Sequence, residues 1–337
     1  IFNFVKAGVK WNENGGYYCD DGVRTAYKNK TGNAAEINLM LTAMLRHAEL
    51  TANPVLVSTR SNGIALFPSR NAFNYVIAAV ETPEGMILLD ATEKYSMPNV
   101  LPLRDLNWFG RLIRKDGTST EVDLMPKILS KEAVNMLFNL NSDGSVDGKL
   151  RVQLSDHSAL EFRKENLATN KDSYLEKLET NNNNIEINDY VRENDLDLFK
   201  PIVESYSFMD NKSAEIINDK IYISPLLFLT TKENPFKQET REYPIDFGYP
   251  QQDKFNINIK IPEGFVVETL PKGINIATGE NIGTFKYIIA NSQNSIQIAI
   301  TKDINMAIVP ADFYEVLQDF YQQMIDKLNE KIILRKI

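Results

Sequence analysis

Residues 31–41 read TGNAAEINLML. Gly32-Asn33 is a turn signal, and a helical apolar pattern follows at once. From Ala34 onward Ile37, Leu41, Met44 and Ala48 recur at spacings of four, three and four, and Met40 and Leu45 widen the stripe. That period predicts a buried helix over residues 34–49. Upstream, IFNFVKAGV (1–9) reads as the end of a short helix, and residues 10–33 are dominated by turns.

Downstream come three short strand patterns: PVLVSTR (54–60), FNYVIAAVE (73–81) and MILLDAT (86–92). TPEG (82–85) is a hairpin signal between the last two. The order is helix, strand, strand, strand. Residues 98–126 read as loop-rich and end at Pro126.

Strand patterns then recur: VNMLFNL, GKLRVQLS, IEINDYV, PIVESYSF, AEIINDKIYI, KFNINIKI, GTFKYIIA and SIQIAIT. Two helical patches, 158–168 and 171–180, interrupt them, and NNNNIEIND (181–189) reads as a solvated loop. Many short alternating strands separated by turns predict a β-sandwich. Phe313, Leu317, Phe320, Met324 and Leu328 form an amphipathic stripe on a closing helix opened by Pro310 and Asp312. The reading is an α+β chain: a first domain over 1–125, and an antiparallel β-sandwich with a C-terminal helix over 126–337.

Composition narrows the function. The 337 residues are 43% hydrophobic and 24% charged, with a net charge of -8. An acidic surface disfavours nucleic acid as a partner. No apolar run is long enough to span a bilayer. One cysteine, Cys19, and two histidines, His47 and His157, are present. Any thiol or imidazole chemistry must draw on these three, so neither a cofactor nor a metal is expected. The acidic neighbours Asp20 and Asp21 disfavour a Cys19 thiolate. NLNSDGSVDGKL (139–150) mimics the start of a calcium loop, but Leu150 stands where a bidentate glutamate is required. A hairpin turn is the better reading.

Three stretches in register carry a family resemblance: Gly32-Asn33-Ala34 opening the helix, FNYVIAAV (73–80) and MILLDAT (86–92). Over about residues 1–125 the chain resembles the transglutaminase-like superfamily, whose core is papain-like. There these places hold a nucleophilic cysteine at a helix start, a histidine on a strand, and an aspartate ending the next strand. The helix macrodipole favours the thiolate, the imidazole moves the proton, the carboxylate orients it, and nearby N–H groups hold the oxyanion. Carried over one position at a time, the nucleophile position holds Ala34 and the base position holds Tyr75. Only Asp90 keeps the family residue. The resemblance therefore implies a fold without a reagent, with Asp90 accepting a hydrogen bond from the Tyr75 hydroxyl. Trp11, Asn33 and Asn74 are the other candidate cleft residues, Trp11 as an indole donor beside the oxyanion position.

The stretch REYPIDFGYPQQDKFNINIKIPEGFVVETLP (241–271) resembles the carboxy-terminal β domain of exported bacterial proteins that carry such a module. Those proteins usually carry a further β domain in front, and a chain starting at Ile1 reads as a trimmed or mature piece. The likeness implies an exported protein, periplasmic or outer-membrane associated, with membrane attachment through a preceding segment left open. Three functions follow as alternatives. The first is a non-catalytic scaffold binding a protein or glycan in the envelope. The second is an amide acyl-transfer or peptidase-type enzyme with a displaced nucleophile. The third is an architectural subunit of an envelope complex. An open cleft at Ala34, Tyr75 and Asp90 would favour binding there, and a filled one would favour architecture.

Overall fold

The Gly32-Asn33 turn is a helix start in the computed structural model, which describes residues 1–67, 69 and 71–337. Asn33 caps α3 (Ala34–His47) through a reciprocal box: its side chain accepts the Glu36 N–H, and Glu36 accepts the Asn33 N–H, both at 2.9 Å. Gly32 is required by close approach, because a Cβ there would lie 2.9 Å from the Ala26 Cβ.

The chain divides into two units, 1–127 and 128–337. In the first, α1 (Phe2–Gly8) and α2 (Val23–Asn29) accompany α3, and β1 (Lys10–Trp11) pairs in parallel with β2 (Thr31–Gly32). The remaining strands are β3 (Ala52–Val57), β4 (Tyr75–Thr82), β5 (Gly85–Leu89), β6 (Phe109–Ile113) and β7 (Ser119–Asp123). They form one antiparallel sheet in the order β5-β4-β3-β6-β7. Ile37, Leu41 and Leu45 of α3 enter one core with Ala52, Ala78, Val80 and Leu89 of the sheet. The loop-rich reading of residues 98–126 is corrected here by the β6–β7 hairpin. Its inward positions include Gly110, Leu112 and Val122, too few apolar residues to make a strand pattern.

The second unit opens with the hairpin of β8 (Ser130–Leu140) and β9 (Val146–Leu154). The NSDG stretch is its turn, with Gly144 at φ 84°. Helices α4 (Asp156–Asn166) and α5 (Lys171–Asn181) follow, then β10 (Glu186–Glu193) and β11 (Ile202–Asp210). The solvated-loop reading of 181–189 fails beyond Asn184, because Glu186–Asn188 pair with Ser207–Met209 and Ile185 and Ile187 are buried. AEIINDKIYI is two strands, β12 (Ala214–Ile217) and β13 (Lys220–Ile223). Between them Asn218 and Asp219 take the positive φ values of a tight hairpin turn. The rest comprises β14 (Ile245–Asp246), β15 (Gln251–Lys260), β16 (Phe265–Thr269), β17 (Ile274–Ala277), β18 (Gly283–Ser292), β19 (Ser295–Ile304), β20 (Ile308–Val309), α6 (Tyr314–Asn329) and β21 (Ile332–Lys336).

Two features depart from an antiparallel sandwich closed by a helix. In the eight-stranded sheet, β10-β11-β9-β8-β15-β19-β18-β17, the central pair β8–β15 is parallel, with Val134 opposite Phe255. In the four-stranded sheet, β12-β13-β21-β16, the chain's last strand is internal, so α6 is followed by structure. Leu317, Phe320, Met324 and Leu328 of α6 share one buried core with Phe285 and Ile300 of the larger sheet and Ile221 and Leu334 of the smaller. The whole is α+β and mostly sheet.

Gly148 lies where three strands crowd. A Cβ there would stand 2.7 Å from Phe138 Cβ, 2.7 Å from Phe208 Cζ and 2.8 Å from the Leu137 carbonyl. Gly148→Val is expected to destabilise the protein by about 1–3 kcal/mol through overpacking. Urea unfolding measures this, and an unchanged midpoint would contradict the packing described.

Candidate functional site

Asp90 follows β5 directly and is fully buried. Its carboxylate is held by donors from three parts of the first unit. The Asn38 amide donates to Oδ1 at 2.9 Å, and the Thr92 backbone N–H does so at 3.0 Å. The Thr92 hydroxyl lies 2.8 and 2.9 Å from the two oxygens, and an Arg104 guanidinium N–H reaches Oδ2 at 2.7 Å. Burial pushes this carboxyl up, but the Arg104 charge and the Asn38 and Thr92 donors outweigh it. Asp90 is held below the usual carboxylate range.

Asn38 sits one turn after Ala34 on α3. Its second donor contact is the Val76 carbonyl, and its oxygen accepts the Ala91 N–H, each at 2.9 Å. One amide thus joins the helix, β4 and the segment after β5.

Tyr75, the first residue of β4, is 1% exposed. Its hydroxyl lies 2.7 Å from Thr92 Oγ1 but 3.4 Å from Asp90 Oδ2. Thr92 accepts from Arg104 and gives its one proton to Asp90, so the phenol donates to Thr92. The expected Tyr75–Asp90 pairing is therefore the weaker contact, and Arg104 is the main partner of Asp90. Burial first, then the Asp90 charge, raises the phenol well above its ordinary range, which leaves no base at this position. The Arg104 guanidinium carbon also lies 4.7 Å from the Trp11 ring centre and 5.6 Å from that of Tyr75.

Ala34 is fully buried, and its N–H donates to the Asn14 carbonyl at 3.0 Å. The Trp11 indole N–H donates to the same oxygen at 2.8 Å. Both candidate oxyanion donors are thus spent on one backbone carbonyl. Asn33 caps the helix and donates to the Tyr18 carbonyl. Asn74 accepts the Thr59 N–H and donates to the Thr59 hydroxyl, so it ties down a loop.

Cys19 is half-buried. Burial, then Glu36 and Asp20, raises its thiol pKa. His47 is exposed at the end of α3. His157 belongs to the second unit, within α4 and not before it, where its ring stacks on Tyr249.

Asn38, Thr92, Arg104 and Asp105 escaped the sequence reading. A signal existed for three of them. Asn38 breaks an otherwise apolar helix face, and Arg104-Asp105 is a charge pair among Leu101, Leu103 and Leu106. Asp105 is fully buried. Neither of its oxygens has a hydrogen-bond donor among the described groups, and Arg104 Nε stands 3.8 Å away. Burial and the neighbouring Asp90 charge push its carboxyl well above the ordinary range. The two carboxyls are thus pushed in opposite directions, Asp105 toward its protonated form and Asp90 toward its ionised form.

The carboxy-terminal sequence, residues 219–334, matches the model of a domain of unknown function with a solved structure, DUF3858. No curated protein matches the sequence. Among solved structures, the chain is similar to one described as a "putative protease" from Parabacteroides distasonis, with a TM-score of 0.53 and 12% identity. The similarity covers 98% of this chain and 50% of that one, so the chain spans about half its length. At this identity the likeness is one of fold.

The Asp105 assignment has a pH signature. A carboxyl whose pKa is raised on folding stabilises the protein relative to neutral pH only while the unfolded chain is also protonated. Its contribution is lost as pH rises from about 4, where an unfolded aspartate titrates. Asp105→Asn keeps the shape without the ionisation. Relative to wild type, it is expected to gain stability as pH rises from about 4, until the folded-state carboxyl itself ionises, read by urea unfolding at each pH. A difference that does not vary with pH would contradict a protonated Asp105.

Proposed function

We propose that the first unit is a degenerate transglutaminase-like domain and that the chain is a non-catalytic binding or architectural protein of the bacterial envelope. The single observation that carries the loss of chemistry is the Asn14 carbonyl. It takes both the Ala34 N–H and the Trp11 indole N–H, the two donors that an oxyanion would need. Three further observations support the reading. Ala34 offers no nucleophilic atom, Tyr75 is a buried phenol, and Asp90 is paired with Arg104 rather than with an imidazole. The helix-then-strands order and the likeness in fold to a structure described as a protease support the family reading. The envelope location rests on the sequence resemblance.

A site whose three positions are all buried favours a structural or remote-binding role over ligand capture at that place. A displaced nucleophile finds little support. Cys19 is the only thiol, and its acidic, half-buried setting suppresses the thiolate.

The purified protein is expected to release no ammonia from glutamine-type amides and to join none to amines. Ala34→Cys combined with Tyr75→His is expected to stay inactive, because losing an oxyanion donor alone costs about 100- to 1,000-fold. Ammonia release followed by a coupled assay checks both. Turnover by the unmodified protein that Asp90→Asn abolishes would overturn the reading.

A further inference from the structure

The inner face of the eight-stranded sheet is core. Its outer face is solvent-exposed and has an ordered composition. Strand alternation and register set three rows across β9, β8 and β15. The first holds Arg151, Asn135 and Asn256; the second, Lys149, Leu137 and Asn258; the third, Asp147, Asn139 and Lys260. Every row carries one cation and at least one amide. The rows line two overlapping depressions of about 620 and 650 Å³, which share Leu137, Lys149, Ser207 and Asn258. That size suits a small ligand or a few units of a polymer.

Charge sets this face apart. The chain carries a net charge of -8, yet among the described residues no carboxylate lies within ion-pair distance of Lys149, Arg151 or Lys260. The two acids in the depressions are already engaged by neutral donors. Asp147 accepts from the amides of Asn139 at 2.8 Å and Asn141 at 3.1 Å, and Asp189 accepts from the Ser207 hydroxyl at 3.0 Å. Three cations without an ion-pair partner thus stand among amides and outnumber the two carboxylates that line the same depressions.

We propose that this face binds an anionic oligosaccharide, a chain of sugars carrying carboxylates. The cations supply complementary charge and charge-assisted hydrogen bonds. Asn256 donates to the Asn135 oxygen at 3.2 Å and Asn139 to Asp147, and the remaining amide donors and acceptors of these residues and Asn258 suit neighbouring sugar hydroxyls. A peptide would seek pockets for apolar side chains or a free strand edge. These rows lie on internal strands, whose backbone groups are already paired, and Leu137 is the sole apolar member of the nine. Single-stranded nucleic acid would seek stacking aromatics, and the rows contain none. The inference concerns the second unit alone and stands whether or not the first turns over an amide.

Isothermal titration of the whole chain with oligogalacturonate tests it, with neutral maltodextrin and poly-glutamate as comparison ligands. Saturable binding of oligogalacturonate, weakening as salt rises, is expected, with none of maltodextrin. Lys149→Gln with Arg151→Gln should weaken it about tenfold or more, the scale of one lost charge-assisted contact. Asn135→Ala with Asn258→Ala should weaken it without altering its salt dependence. These exposed substitutions are expected to leave the unfolding midpoint nearly unchanged, and circular dichroism confirms folding before titration. Three results would each overturn the proposal: no binding of oligogalacturonate at low salt, binding that neither variant weakens, or equally tight binding of poly-glutamate that ignores the asparagine changes.

Discussion

The first unit is organised around one buried ion pair. Asp90 is fully enclosed, and Arg104, itself mostly covered, meets it at 2.7 Å. An isolated carboxylate in such a place would be strongly disfavoured. Here each oxygen has its donors, and each donor comes from a different part of the chain: Asn38 from the helix, Thr92 from the segment after β5, Arg104 from the loop before β6. Removing any of them would leave a buried charge short of a partner, so the helix, strands and loop are held in one arrangement. Asp105 completes the cluster: burial and the Asp90 charge favour its protonated form, so the two carboxyls do not compete as anions for one guanidinium.

The same cluster is part of what the proposed non-catalytic reading rests on. A catalytic carboxylate orients an imidazole that must change its charge during the reaction. Arg104 is permanently charged and stays so. Burial and the Asp90 charge push the Tyr75 proton far from neutral titration. On the helix side, the Asn14 carbonyl already holds the N–H groups that a developing anion would need. The exposed, cation-bearing face lies instead on the sheet of the second unit.

What the sequence made legible follows from how local each signal is. The start of α3 could be read because a turn and a period of 3.6 are local patterns, whereas Ala34, Tyr75 and Asp90 were singled out by the family resemblance, and the structure buries all three. The pairing of Asp90 with Arg104 could not be read, since it joins residues fourteen apart across a loop without periodicity. Nor could the β6–β7 hairpin, whose buried face relies on glycine and isolated apolar residues. In the second unit the strands were visible but their partners were not. The parallel β8–β15 pair joins strands more than a hundred residues apart, and no local pattern encodes that choice. AEIINDKIYI read as one strand because Asn218-Asp219 interrupts the apolar run only briefly. The final strand β21 was overlooked behind the stronger amphipathic signal of α6.

The dependence of the first unit on its buried pair is most directly tested by a double-mutant cycle of Asp90→Asn and Arg104→Met, read by urea unfolding at pH 7. The account predicts that each single change leaves a stranded charge or donor set. It also predicts that the two together cost well below their sum, with a coupling of about 1.5 kcal/mol or more. Additivity within about 0.5 kcal/mol would mean that the two groups act independently and would contradict the account.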